Sequence, residues 1–374
     1  METAFDIIVI GLGANGSSAL YHLAKSGCRA MGIDRFAPPH RHGSSHGQSR
    51  IIRQAYHEKP LYVPFVKEAF NLWKELEQTS GQKLLLVTGG LILGDENAAV
   101  VQGAKESAES YDLPFDYLDS GEIKSRFPAL KPSPETVGIF DKTAGILFPE
   151  TCIETYLKKA QELGAAIRCN ETVIRIVPGA TAVEIITDKN TYQTSRVILS
   201  AGAWTNALLP GRPLPLVIER QVLYWLKSKK PQPFLTADAL PIYIWEYKRD
   251  LVFYGFPDLG DGIKTAFHQG GQTVVPDELT GDVAPAEIDA MINVVEAHID
   301  IEAAFNYSAT CMYTNTPDGD FIIDFHPLYK NIIVASPCSG HGFKFSCLTG
   351  KLLCQMALGE SFSFDLSPFR MTRF

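Results

Sequence analysis

Residues 5–34, FDIIVIGLGANGSSALYHLAKSGCRAMGID, decide how this chain folds. The apolar run from Phe5 to Ile10 reads as a buried parallel strand, and it opens directly into Gly11-Leu12-Gly13-Ala14-Asn15-Gly16. A helix with apolar periodicity at Ala19, Leu20 and Leu23 follows and ends near Gly27. A second strand, Arg29 to Ile33, finishes at Asp34. An ordinary glycine-rich turn would show the glycines alone. Here strand, helix, strand and acid arrive together, the pattern of a dinucleotide-binding βαβ unit. Gly11 allows the tight turn, Gly13 lets a pyrophosphate approach the backbone, and Gly16 lets helix and strand pack closely. The helix N-terminus offers free N–H groups to phosphates, and Asp34 is placed to accept hydrogen bonds from ribose hydroxyls.

At 374 residues the chain is long enough for two lobes around a well-buried core. A net charge of −8 argues against a nucleic-acid or anionic-membrane partner. No apolar stretch approaches a bilayer span. The binding unit begins at residue 5, which leaves no room for a signal peptide. Seven cysteines without paired spacing fit a reducing compartment, and the absence of CxxC argues against zinc or dithiol chemistry. The expectation is a cytoplasmic enzyme with no metal.

Two further segments favour FAD over NAD. From Thr172 to Trp204, three short strands return to a second small-residue turn at Ser200-Ala201-Gly202. Near the C-terminus the strand NIIVAS runs into Ser339-Gly340-His341-Gly342-Phe343-Lys344 and then an apolar helix. A helix start there would stabilise negative charge on a reduced flavin. The expected fold is α/β: a Rossmann-like FAD-binding domain (1–87, 149–214 and 321–374) and a substrate domain on a mixed antiparallel sheet (88–148 and 215–320). The second domain carries the aromatic strands IYIWEY and LVFYGFP and a helix near Pro285 to Ile299.

With these pieces assembled, the chain resembles the monomeric sarcosine oxidase / N-methyltryptophan oxidase family of amine-oxidising flavoproteins over essentially its whole length. The matching stretches are Pro38-Pro39-His40, Gly43-Ser44-Ser45-His46-Gly47, Ser49-Arg50-Ile51-Ile52-Arg53, Tyr254-Gly255-Phe256-Pro257, Lys264 with His268, Cys311-Met312-Tyr313-Thr314, and Ser339 to Lys344. The ending FDLSPFRMTRF and the run Asn315-Thr316-Pro317-Asp318 lean toward the N-methyltryptophan branch. Ser45, Gln48 and Ser49 depart from the family's pattern, which often has a His and an Asp-Thr pair there.

The resemblance implies that Cys311 attaches FAD covalently at the flavin 8α-methyl, as an 8α-S-cysteinyl thioether. A cysteine chosen at random would be buried and structural. It implies that Arg53 and Lys344 grip a substrate carboxylate through charge-assisted hydrogen bonds. Lys344 stands at a helix start, where a cation opposes the dipole, a local conflict that suggests a functional reason. Lys264 and Arg50 become the cations near the flavin, stabilising superoxide as O2 is reduced. Lys264, Ala266 and His268 share one strand face, an arrangement that surface exposure would also produce. The resemblance also implies that His268 and Tyr254 join Lys264 and Arg50 as catalytic residues, and Tyr254 and Trp245 are expected in the substrate wall. The remaining cofactor contacts are Asp34, Arg35, Ser44, Ser45, His46, Val173, Ala201, Gly202, Trp204, Gly340, Gly342 and Phe343, although for His46 an ordinary loop histidine is an open alternative. The implied reaction is oxidative demethylation of a secondary amino acid with O2 as acceptor, giving hydrogen peroxide, by a monomer. Sarcosine, pipecolate, proline or a glycated amino acid remain open as substrates. A quinone-linked dehydrogenase and a dinucleotide-binding protein without turnover are rival readings.

Overall fold

The computed structural model describes residues 5–374. The strand Phe5–Ile10, the helix Ala14–Lys25 and the strand Ala30–Ile33 form as read, with the two strands parallel. Gly11 takes φ +87°, in the region that favours glycine. A Cβ on Gly16 would stand 1.8 Å from the Gly11 carbonyl oxygen, so only glycine lets the helix sit this close. Around this unit grows an eight-stranded sheet in which Phe5–Ile10 lies between Thr191–Leu199 and Ala30–Ile33. Ile332–Ser336 extends it by pairing parallel with Thr191–Leu199. Its central parallel strands, Ile7 to Ile10, Ala30–Ile33 and Ile332–Ser336, are apolar runs buried on both faces, as a sheet covered by helices requires. The helices Ala14–Lys25, Pro149–Glu162 and Ser346–Leu358 supply one cover.

The second eight-stranded sheet runs in the order 303–315, 217–228, 263–268, 251–256, 242–248, 90–95, 136–141, 116–118. It is antiparallel except where Ile242–Lys248 pairs with Gly90–Asp95. Its strands come from 90–141 and 217–315, whereas those of the first sheet come from 5–33, 166–199 and 322–336. The helix Pro285–His298 packs on one face of the second sheet through Met291 and Val295. The opposite face looks toward the dinucleotide unit. A small third sheet joins Arg50–Ile52, Gly145–Leu147 and Leu85–Val87. Among the described residues no helix is long and apolar enough to cross a membrane.

Candidate active site

A groove of about 470 Å³ follows the carboxyl ends of the parallel strands, where open α/β sheets bind ligands. Gly11, Gly13, Asp34, Arg35, Ser44, Ser45, Val173, Ala201, Gly202 and Trp204 line it. Gly16 does not; it packs behind, against Gly11. Asp34 is already engaged, accepting from Leu12 N at 2.7 Å through one oxygen and from Phe36 N at 2.8 Å through the other. Each oxygen keeps a lone pair for a ribose hydroxyl. Asp277, contributed by the loop after Ile263–His268, clasps the far end of the groove. It accepts from Arg35 Nη1 at 2.6 Å and Trp204 Nε1 at 2.9 Å.

The groove continues into a cavity of about 140 Å³ between the two large sheets, with Ala14, Asn15, Ser44, Ser45 and Cys338 on both walls. Arg50, Arg53, Tyr254, His268, Cys311, Gly340, Gly342, Phe343 and Lys344 line the cavity, so residues from five separated stretches converge there. Buried polar atoms without a partner cluster at this junction: Asn15 Oδ1, Thr314 Oγ1 and Arg53 Nε. An elongated groove under a helix N-terminus, ending against unpaired polar atoms, fits a dinucleotide with a polar ring system.

Strand alternation determines what the cavity sees. Ile244, Tyr254, Phe256 and His268 face it, and Leu223 and Cys311 complete that wall. Trp245, one residue on from Ile244, points the other way. It is 2% exposed, lies 6.0 Å from the Phe253 ring and meets His298 of the helix edge-on at 4.8 Å. The expectation that Trp245 walls the substrate site is therefore corrected: a period-2 strand places it in the core beneath the helix, and Ile244 takes the wall position.

At one end of the cavity two cations meet. Arg53 donates from Nη1 to Ala55 O at 2.8 Å and from Nη2 to Glu58 Oε2 at 2.6 Å, and its guanidinium carbon lies 4.5 Å from the centre of the Tyr56 ring. Lys344 Nζ lies 5.2 Å from the same ring and donates to His341 O at 2.8 Å. Tyr56 is in turn fixed by a 2.5 Å bond between its hydroxyl and His341 Nδ1. Burial pushes the Lys344 ammonium down to about 7, with Glu58 pulling the other way and Arg53 adding to the fall. Burial pushes the Glu58 carboxyl up, but the Arg53 guanidinium outweighs it and holds the group well below the ordinary carboxylate range. Tyr56, His57, Glu58 and His341 are functional candidates that sequence reasoning missed. Tyr56, His57 and Glu58 sit three to five residues past Arg53 and were within reach of a search for partners to a buried arginine.

At the other side, Lys264 is 3% exposed and directs Nζ to Gly47 O at 2.7 Å, Ser49 O at 2.9 Å and Ser49 Oγ at 3.0 Å. Burial, with Arg50 beside it, pushes its ammonium well below the usual lysine range. Arg50 donates to Ser49 O at 2.8 Å and Ser44 O at 2.6 Å. Both cations thus brace the 44–50 loop from behind, Arg50 at the cavity wall and Lys264 one layer back. His46 lies in this layer, 3% exposed with Nε2 unpartnered, and burial lowers its imidazole to about 3. His268 sits in the cavity wall as a neutral ring, lowered by burial to about 4. Burial raises the Cys311 thiol, against the pull of Arg50 and Lys264.

The model of the FAD dependent oxidoreductase family matches residues 6–356. A monomeric sarcosine oxidase of Streptomyces avermitilis is 38% identical over 96% of this chain and 94% of its own. An N-methyl-L-tryptophan oxidase of Salmonella agona is 35% identical over 99% of both. Among solved structures, NikD, an unusual amino acid oxidase essential for nikkomycin biosynthesis, superposes with a TM-score of 0.87 at 21% identity, covering 99% of this chain and 98% of that one. Glycine oxidase from Geobacillus kaustophilus gives 0.82 at 18% identity, covering 100% of both. These structural likenesses support the two-sheet fold.

Proposed function

Because the chain belongs to the FAD dependent oxidoreductase family, we propose that it is an oxidase of N-methyl amino acids that uses O2. One observation carries the reading: two buried cations, Arg53 and Lys344, converge at one end of a largely apolar cavity that opens into the dinucleotide groove. A buried cation pair of this kind selects a carboxylate, which repays the cost of desolvating both charges. Ile244, Tyr254 and Phe256 supply apolar surface for the rest of the substrate. Neutral His268 stands in the same wall, where its ring can hydrogen-bond the substrate amine without adding a charge that would oppose Arg53 and Lys344.

FAD, when bound, supplies the two-electron acceptor for the substrate C–H bond and passes the electrons to O2, giving hydrogen peroxide. Gly11, Gly13, Asp34, Ser44 and Ser45 would hold it in the groove, with Cys311 in the cavity wall as its covalent anchor. Lys264 and Arg50 would supply positive charge beside its ring. The oxidised amine hydrolyses to formaldehyde and the primary amino acid. The seven cysteines are all unpaired, which fits work in a reducing compartment such as the cytoplasm, and the relatives named monomeric support a monomer. Among acids, the C-terminal resemblance favours a bulky substrate such as N-methyl-L-tryptophan over sarcosine. A peroxide assay across N-methyl and cyclic amino acids tests this. Peroxide formed with N-methyl amino acids and not with their decarboxylated amines is the expected result; equal rates on both would overturn it.

A further inference from the structure

The segment from Arg53 to Glu58 is pinned by its backbone. Gln54 N donates to Asp141 Oδ2 at 2.7 Å, and Ser107 Oγ donates to Tyr56 O at 2.5 Å. Gly103, in the helix Ala99–Ser110, passes so close that a Cβ there would stand 2.2 Å from the His57 carbonyl oxygen. The His57 ring is therefore presented to the cavity from a fixed base.

A guanidinium has donors only. His57 Nδ1, 2.8 Å from Arg53 Nη2, must then be the acceptor, which makes the ring neutral with its proton on Nε2. Burial lowers this imidazole well below its ordinary value; Arg53, His268 and Lys344 add to the fall and Glu58 opposes it. Nη2 thus has two partners, His57 Nδ1 and Glu58 Oε2. They are not equivalent. Glu58 is an anion, so an incoming carboxylate repels it and competes for the same donor. His57 is uncharged and can stay.

We infer that His57 is a positioning residue: its Nδ1 keeps the Arg53 guanidinium over the Tyr56 ring when a substrate carboxylate takes over from Glu58. Without it, the guanidinium would be held only by Ala55 O and the Tyr56 ring and would need further ordering at the moment of binding, and that entropy would be subtracted from affinity. The inference rests on the carboxylate grip of the proposed function. Since the contact is the same in ground and transition states, its loss falls on KM and not on kcat.

The test compares His57→Leu, which keeps bulk without an acceptor, with His57→Asn, whose side-chain oxygen can stand near the place of Nδ1. In the FAD-loaded enzyme, His57→Leu should raise KM for an N-methyl amino acid about tenfold, the scale of one hydrogen bond to a charged donor. Its kcat should stay within about twofold, and His57→Asn should recover most of the KM. The dissociation constant of a non-oxidisable carboxylate, read from flavin absorbance, should follow the same order. A purely structural role would move Leu and Asn alike, and that result, or a loss confined to kcat, overturns the inference. A wild type whose flavin spectrum responds to carboxylates but which oxidises no N-methyl amino acid removes the proposed substrate class, and His57 is then judged on dissociation constants alone. A spectrum indifferent to carboxylates overturns both.

Discussion

Carboxylate affinity should fall with alkaline pH, and Lys344 is the reason. Its side chain is 5% exposed, and Nζ has one hydrogen bond to protein, leaving two donors for a ligand. Burial brings its pKa from 10.5 to about 7 in the free enzyme. Only the ammonium form attracts an anion, so affinity is full below this value and declines above it, up to tenfold per pH unit. A bound carboxylate compensates the buried charge and returns the lysine toward its ordinary range. At pH 7 half of the lysine is charged, so between pH 7 and pH 9 the ligand should weaken by as much as about fiftyfold, or about 2.3 kcal/mol at 1.36 kcal/mol per factor of ten. A substrate amine would add its own ionisation, so the probe is an amine-free carboxylate titrated against the FAD-loaded enzyme by flavin absorbance. Lys344→Arg, charged at every pH used, should bind without the slope, and Lys344→Met should bind weakly throughout. A flat wild-type profile, or a slope that survives in Lys344→Met, refutes the reasoning. Stability runs the opposite way. The folded-state pKa is depressed, so the burial penalty is full below pH 7 and fades as pH rises toward 10.5.

The thioether reading predicts that wild-type flavin stays with protein after acid precipitation, whereas Cys311→Ser releases it to the supernatant; free flavin from the wild type would contradict it. Lys264→Met should slow flavin reoxidation by about tenfold or more while slowing reduction much less, since each ~1.4 kcal/mol of lost charge stabilisation is a factor of ten; stopped-flow measurement of the two half-reactions decides. Arg53→Ala should lower kcat/KM for an amino acid by about thirtyfold or more, from the 2–5 kcal/mol typical of breaking a buried charge pair, and barely alter the already poor oxidation of a carboxylate-free N-methylamine. Trp245→Ala should lower stability by about 3–5 kcal/mol in thermal or denaturant unfolding without changing the KM ratio between substrates, which Ile244→Ala should change.

The parts of the molecule built from local signals were readable in advance. Phe5 to Asp34 announces its own strand, turn, helix and acid within thirty residues, and the apolar run before Ser339-Gly340 does the same near the C-terminus. What could not be read was direction across a sheet. IYIWEY is aromatic and apolar at nearly every position, so both faces look alike until the helix Pro285–His298 is known to cover one of them. Partner choice was equally hidden. Nothing local says that Lys264 bonds a loop more than two hundred residues earlier, or that Asp277 reaches back to Arg35. Glu58 and His57 are a different case: they adjoin Arg53 in sequence, but an exposed acidic turn would read identically, and only burial separates the two.

The alternation of the central strands bears on how substrate range could be altered by mutagenesis. Positions 244, 254, 256 and 268 meet the cavity, whereas Tyr243, Trp245 and Phe253 lie in the core behind it. Libraries confined to the even-numbered positions would sample new pocket shapes over an intact foundation, while diversity at the odd-numbered ones would be lost to misfolding before any substrate was offered. The two properties are thus encoded on interleaved residues of the same strands, and selection can act on one with little interference from the other.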